Sequence, residues 1–246
     1  MFYKLAHPTY FLKYANRIRP WFGFATLAFY MIGLWYALID SPQDYQHKDA
    51  VRIMYVHVPA SWLALAIYTS MGLSHAVGYI WKHPLAHIIA KSIAPIGLCL
   101  TLLSLITGAI WGKPMWGTWW VWDARLTAMF ILMLLYAGYI LLIHAYEDFE
   151  QGVKVAGVLN FLGLINIPII KWSVNWWNTL HQPATLTKFS TPSIHPSLLK
   201  PLILMALAYS FMVIWIAFIR IEKEILTRKC QVLRFSAITN ATTDIL

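Results

Sequence analysis

Six long apolar segments dominate this chain and restrict it to a small set of folds. They cover residues 21–39, 58–81, 92–111, 126–146, 153–171 and 200–219. Each is close to the roughly 20 apolar residues that a helix needs to cross a bilayer. Of the 246 residues, only 12% are charged, about half the fraction found in an average soluble domain. Because a bilayer accepts only helices and closed barrels, the sequence predicts an all-α polytopic membrane protein with six transmembrane helices.

The fifth segment is the least regular of the six. It contains Asn160, Asn166 and Pro168, which are uncommon in a lipid-exposed helix. Two interpretations stay open: a kinked helix that lines a polar interior, or polar residues and a proline that a packed bundle tolerates.

The distribution of basic residues predicts the topology. Twelve of the nineteen Lys and Arg residues precede the first segment, follow the last one or lie in the loops on that same side. By the positive-inside rule, both termini are cytoplasmic. The basic residues are spread over both ends, so they predict neither a nucleic-acid groove nor a defined site for anionic lipid. Residues 1–219 form a single membrane domain in this interpretation, and residues 220–246 form a polar cytoplasmic tail.

An unusual concentration of tryptophan lies between the third and fourth segments. Residues 111–125, WGKPMWGTWWVWDAR, contain five tryptophans, and the topology places them with loops 40–57 and 172–199 on the outer side. Gly112, Pro114 and Gly117 interrupt the run, which predicts an ordered outer loop or a shallow re-entrant segment. Tryptophan is a flat, weakly polar plate, so the cluster fits a platform for another flat apolar ring system, such as a porphyrin. The alternative is an anchor among lipid headgroups.

Two histidines on the same side favour the porphyrin. His57 stands in YVHVP at the outer start of the second segment, and His181 stands in WWNTLHQP in the third outer loop. Imidazole is a common ligand of haem iron. Either histidine alone is more often a hydrogen-bonded interfacial residue, but the pair predicts two axial ligands on either side of a Trp platform.

Three charged residues complete the candidate site. Arg52 lies on the outer side against the topological bias, and Arg125 lies in the first turn of the fourth segment, where the helix dipole disfavours a cation. Haem propionates would suit both guanidinium groups; a salt bridge with Asp49 or Asp123 is the alternative. Asp123 lies at the predicted N-cap of the fourth helix, a role worth about 1 kcal/mol. If capping is its only role, Asp123→Asn should preserve much of any haem binding.

Two other function classes compete with this prediction. His75 and His144, near the inner ends of the second and fourth segments, could hold a bis-histidine haem b for electron transfer. A transport permease without a cofactor is the third class. Cys99 and Cys230 form no C-x-x-C motif, the chain has no P-loop motif, and the outer loops contain no pair of nucleophile and base. The residues therefore favour a non-enzymatic role.

The tryptophan run resembles the WWD signature of haem-handling proteins of cytochrome c biogenesis. Together with YVHVP, WWNTLHQ, the APIG of Ala94–Gly97 and the adjacent Thr107 and Gly108, it makes the chain similar to the CcmC family. The resemblance covers nearly all residues up to about 219.

The resemblance implies haem b bound at the periplasmic face of the bacterial inner membrane, with His57 and His181 as axial ligands of the iron. It implies that Arg52 and Arg125 contact propionates or neighbouring loops. It also implies delivery of haem to the periplasmic chaperone CcmE, beside the ABC subunits CcmA and CcmB and the small protein CcmD. The residues that match the WWD segment are Trp111, Trp116, Trp119, Trp120, Trp122 and Asp123.

Overall fold

The computed structural model describes residues 7–177, 179–181 and 194–243, and its regular elements are helical. A π-helical turn, Tyr36–Asp40, extends the first α-helix, and a 3-10 turn, Asp49–Ile53, leads into the second. Within the described residues the α-helices are α1 (Pro8–Trp35), α2 (Met54–Trp81), α3 (Ala86–Trp116), α4 (Ala124–Ala145), α5 (Phe149–Gly163), α6 (Asn166–Trp176) and α7 (Pro196–Thr243).

The helices form one bundle whose two ends differ in chemistry. α1 packs along α7, α2 along α3, and α4 against α5 and α6. Arg19 forms an ion pair with Glu222, so the beginning of α1 and the later part of α7 lie at the same end. The Trp-rich segment, at the end of α3 and the start of α4, lies at the opposite end.

The predicted number of membrane spans is confirmed in the described residues. Six helical segments are long and apolar enough to cross a bilayer, although most are longer than the apolar stretches of the sequence. The segments are Pro8–Asp40, Asp49–Trp81, Ala86–Trp116, Ala124–Ala145, Phe149–Trp176 and Pro196–Arg234.

The fifth span is broken, and the amide nitrogens of its two asparagines donate to backbone carbonyls. α5 ends at Gly163 and α6 begins at Asn166, because Pro168 has no N–H and its ring clashes with the carbonyl four residues earlier. The buried Asn160 donates to the Tyr68 carbonyl at 3.4 Å, and Asn166 donates to the Ala128 carbonyl at 2.8 Å. These contacts favour polar residues tolerated in a packed bundle over a polar channel lining.

The Trp-rich segment differs from the predicted loop in its first half. α3 continues through Gly112 and Pro114 and ends at Trp116, where Gly117, with φ 75°, closes the helix by donating to the Lys113 carbonyl. The prediction of a loop that begins at residue 112 is therefore wrong, and only residues 117–123 are non-helical. A proline removes a single helical hydrogen bond, which neighbouring helices readily offset in a membrane bundle.

The chain does not leave the bundle at residue 220. α7 continues without a break, and Ile221 and Ile225 are buried against Leu85 and Ile88. Between these two isoleucines, Glu224 forms ion pairs with two cations, Lys91 at 2.8 Å and Arg228 at 3.0 Å. Residues 220–228 are thus part of the packed helical domain, in contrast to the predicted polar tail.

Candidate functional site

The two histidines predicted as ligands lie at the same end of the bundle. His57 is in the first turns of α2, and His181 follows α6. His57 packs edge-on to Trp111 and His181 packs edge-on to Trp116, and both tryptophans lie in the last two turns of α3. The fold therefore brings together two imidazoles that are 124 residues apart in the sequence.

His57 is held against α3 through one ring nitrogen. Its Nδ1 lies 3.0 Å from the Ser104 carbonyl oxygen and 3.1 Å from Thr107 Oγ1. A carbonyl can only accept, so Nδ1 carries the proton; the Thr107 hydroxyl donates its own proton to the Leu103 carbonyl and is free to accept. In this tautomer Nε2 keeps its lone pair, which is the form that ligates a metal.

Gly108 provides the space for that imidazole. A Cβ at position 108 would lie 3.1 Å from His57 Cε1, closer than ordinary van der Waals contact. Thr107 therefore orients His57, and Gly108 leaves room for its ring. The sequence alone predicted neither contact.

His181 is oriented in the same way by a carboxylate. Its Nδ1 lies 3.2 Å from Asp123 Oδ2, and the Asp123 side chain is only 5% exposed. The imidazole also packs edge-on to Trp116, with the ring centroids 4.8 Å apart. A carboxylate on Nδ1 fixes the proton there and leaves Nε2 as the ligating atom. Within the described residues, Nε2 of neither His57 nor His181 makes a hydrogen bond.

Burial lowers the pKa of His181 below its usual value of 6.5, although the Asp123 carboxylate acts in the opposite direction. His181 is therefore neutral at neutral pH. A neutral imidazole is the form that can bind iron.

A pH titration tests this balance. The pKa of His181 is below 6.5 in the folded protein. Burial of neutral His181 therefore contributes fully to the free energy of unfolding above pH 6.5, and this contribution is lost as the pH falls through the folded-state pKa. We expect an NMR titration of histidine-labelled, haem-free protein to give a midpoint below 6.5 for the resonance that is absent from His181→Ala. A midpoint above 6.5 would mean that the carboxylate outweighs burial.

Asp123 also caps α4, as predicted. Its backbone is extended, with φ −83° and ψ 167°, and Oδ1 accepts from the Leu126 N–H at 2.7 Å. One carboxylate thus fixes both the start of α4 and the orientation of His181. The second contact was not predicted, and it changes what a substitution should do.

We expect Asp123→Asn and Asp123→Ala to separate the two roles. Asparagine keeps an acceptor for the Leu126 N–H but presents an amide donor to His181 Nδ1–H, so stability should remain near wild type while haem affinity falls about 10- to 100-fold. Alanine should lose about 1 kcal/mol of stability in addition. Thermal unfolding and haem titration of both variants measure this; wild-type haem affinity in Asp123→Asn would leave capping as the only role.

The tryptophans differ in how closely they contact the two histidines and in how exposed they are. Trp111 packs edge-on to His57, with the centroids 5.9 Å apart, and also contacts His47 at 5.6 Å. Trp120 packs against Trp122 at 5.3 Å. Trp119 and Trp122 are the two exposed rings of the Trp-rich segment, at 57% and 72%. Large exposed rings at the end of a membrane bundle offer an apolar face to a ligand or to headgroups.

Two indole nitrogens in this cluster lack acceptors. Trp111 Nε1 and Trp120 Nε1 are buried and have no hydrogen-bond partner among the described residues. A buried N–H without an acceptor costs about 1–3 kcal/mol. Both groups are thus available to a ligand that carries acceptors.

The two outer arginines are tied to nearby backbone. Arg125 donates to the carbonyls of Ile170 and Lys171 at 3.4 and 3.5 Å, which links α4 to α6. Arg52 lies 3.6 Å from Asp49 and donates to the Ser41 carbonyl at 3.4 Å, and its buried Nε has no partner in the described part of the chain. The salt bridge to Asp49 was one of the two predicted roles of Arg52.

The rival inner site does not form as predicted. His75 is fully buried, but its Nε2 lies 2.9 Å from the Tyr139 hydroxyl and its Nδ1 lies 3.0 Å from His87 Nδ1. His144 is exposed and contributes no contact to His75 in the described structure. Since both ring nitrogens of His75 already have protein partners, neither is free to bind iron.

Comparison with known proteins agrees with the predicted resemblance. The family model of heme exporter protein C matches residues 1–236. A heme exporter protein C of Bradyrhizobium diazoefficiens is 43% identical over 230 residues, 94% of this chain and 87% of the relative. The one of Haemophilus influenzae is 44% identical over 221 residues, 90% of each chain. The chain belongs to the CcmC family, whose model is described as heme exporter protein C.

Proposed function

We propose that this protein binds haem b between His57 and His181 and hands it on during cytochrome c maturation. The observation that carries the proposal is the matched pair of imidazoles: each has its Nδ1 held by the protein and its Nε2 unoccupied among the described residues. Two such nitrogens suit the two axial positions of haem iron.

The surroundings fit an amphipathic macrocycle. Trp111 and Trp116 flank the two imidazoles, and the exposed Trp119 and Trp122 extend the apolar face. Haem carries two propionates, and Arg125, two residues after the Asp123 that contacts His181, would pair with one of them. Arg52, whose buried Nε has no partner among the described residues, is the second candidate.

The proposed role is delivery without catalysis. The names of the relatives support it: two are heme exporter proteins, and a relative from Marchantia polymorpha is named for cytochrome c biosynthesis and the mitochondrion. We infer that the acceptor is the haem chaperone CcmE and that CcmA, CcmB and CcmD form the surrounding ABC-type complex. The positive-inside distribution supports histidines at the periplasmic face of the bacterial inner membrane and both termini in the cytoplasm.

The position of the site supports release. The site lies at the end of the bundle among exposed tryptophans, whereas an electron-transfer haem is usually enclosed between helices. The exposed Trp119 and Trp122 give an incoming ligand access to the partly buried imidazoles, and replacement of one imidazole at a time lowers the barrier to transfer.

A transfer assay tests delivery. Haem-loaded protein in detergent is mixed with soluble, haem-free CcmE, the two are separated by an affinity tag, and haem is measured in each fraction over time. We expect haem to move to CcmE faster than it is lost to apomyoglobin, which only scavenges dissociated haem. Equal rates for the two acceptors would indicate passive dissociation and would contradict delivery.

A further inference from the structure

A polar cavity lies at the end of the bundle opposite the histidine pair. It has a volume of about 240 Å³ and is enclosed by the start of α3, the end of α4 and residues 220–227 of α7. His144, in the last turn of α4, lines it, as do Ile140 and Ile143. The cavity therefore lies where the helices leave the apolar core of the bilayer, with apolar residues on one wall.

The opposite wall is basic. Lys91, Arg220 and Lys223 line the cavity, and Glu224 is the single carboxylate that faces them. Glu224 is already shared by Lys91 at 2.8 Å and Arg228 at 3.0 Å. Arg220 uses its Nε for the Ser92 carbonyl at 2.7 Å, and within the described residues Arg220 and Lys223 form no ion pair. The cavity thus has an uncompensated positive charge.

A buried hydroxyl in the same wall has no partner. Ser92 lines the cavity and is 3% exposed, yet its Oγ makes no hydrogen bond in the described structure. Most buried polar groups are hydrogen-bonded. One helical turn away, Pro95 has no N–H to donate to the Lys91 carbonyl. The wall thus offers a hydroxyl donor beside two cations and a carbonyl acceptor.

We propose that this cavity binds the phosphate headgroup of an anionic phospholipid, with phosphatidylglycerol as the best match. The phosphate would lie between Arg220 and Lys223, with the Ser92 hydroxyl as an additional donor. The glycerol hydroxyls would reach the Lys91 carbonyl, and the acyl chains would lie against Ile140 and Ile143. Basic pockets between helices at the membrane boundary are typical sites for such headgroups.

The fold, and not the basic residues alone, creates this site. In the sequence, Lys91 and Arg220 are separate charges on a generally basic protein, and they predicted no lipid site. Residues 220–227 reach α3 only because α7 continues beyond the apolar stretch.

Native mass spectrometry of protein released from nanodiscs of mixed phosphatidylglycerol and phosphatidylcholine tests the proposal. We expect wild type to retain one phosphatidylglycerol in preference to phosphatidylcholine. The double variant Arg220→Gln/Lys223→Gln should retain it about 30-fold less well, since each cation near the surface contributes about a factor of five. The matched control Arg17→Gln/Lys229→Gln removes the same two charges from exposed positions outside the cavity and should retain it as wild type does.

A milder variant keeps the test decisive if the double variant does not fold. Ser92→Ala removes a hydroxyl that has no partner among the described residues, so the lipid-free protein should be at least as stable as wild type. Its phosphatidylglycerol retention should nevertheless fall by about fivefold, the value of one hydrogen bond. Unchanged retention in Ser92→Ala and in the double variant would overturn the proposal. Displacement of the lipid by millimolar inorganic phosphate would also overturn it, because the ligand would then be a soluble anion.

Discussion

Replacing His57 with alanine should remove most of the bound haem from the purified protein. The substitution deletes one of the two proposed axial nitrogens and leaves a space beside Gly108, while the Ser104 carbonyl and Thr107 stay in place. Because even the loss of an outer partner of a metal ligand costs 10- to 100-fold in affinity, we expect at least about 100-fold weaker haem binding. Haem content and the optical spectrum of the detergent-purified protein measure the effect, and His181→Ala should behave in the same way.

Two further results make this prediction specific. Added imidazole should enter the space left by His57→Ala and restore a bis-nitrogen spectrum, which a general loss of folding would not allow. The controls are His75→Ala and His144→Ala, which the competing electron-transfer hypothesis names as ligands. If either control abolished the haem spectrum while His57→Ala kept it, delivery from the outer site would have to be abandoned.

Replacing Gly97 with alanine should cause a large loss of stability. A Cβ on Gly97 would overlap the fully buried ring of Tyr136, whose hydroxyl donates to the Ala64 carbonyl at 2.7 Å. Tyr136 thus joins α4 to α2 across the surface of α3 and cannot move freely. Overpacking of this kind costs about 1–3 kcal/mol, and displacing the hydroxyl adds about 1 kcal/mol. Alanine in place of glycine within a helix gains about 1 kcal/mol. We therefore expect the free energy of unfolding to fall by about 2 kcal/mol.

Unfolding in mixed micelles of SDS and a mild detergent measures this loss. The matched control is Gly138→Ala on α4, where the added Cβ would meet only the flexible end of Leu159 at 3.3 Å. That variant should be as stable as wild type or slightly more stable. Equal stability of the two variants would mean that α3 and α4 are not held as closely as the Tyr136 contact requires.

The Trp-rich segment shows where sequence reasoning reached its limit. Gly112 and Pro114 are strong local signals for a loop, yet α3 continues to Trp116. Local signals describe the cost to an isolated chain, whereas in the bundle the neighbouring helices offset that cost. The same reasoning explains α7, where Ile221 and Ile225 pack against α3 and its preceding turn although the surrounding sequence is polar.

The inner histidines show a related limit. Helix geometry put His75 and His144 at similar depth, but depth does not specify the direction in which a side chain points. In the structure His75 faces Tyr139 and His87, whereas His144 is exposed and lines the basic cavity beside Ser92. The rotation of α2 relative to α4, which helix packing sets, decided whether His75 would pair with His144 as an iron ligand or form hydrogen bonds within the bundle.

The sequence by itself determined the features that depend on composition and local order. These are the all-helical membrane class, the six spans, the N-cap at Asp123 and the candidate histidines among tryptophans, because apolar length and residue type act within one segment. The tertiary structure decided the features that depend on distant residues. These are the Asp123–His181 contact, the hydrogen bonds of His57 with Ser104 and Thr107, and the basic cavity beside Ser92. Each joins positions that only helix packing brings within hydrogen-bonding distance.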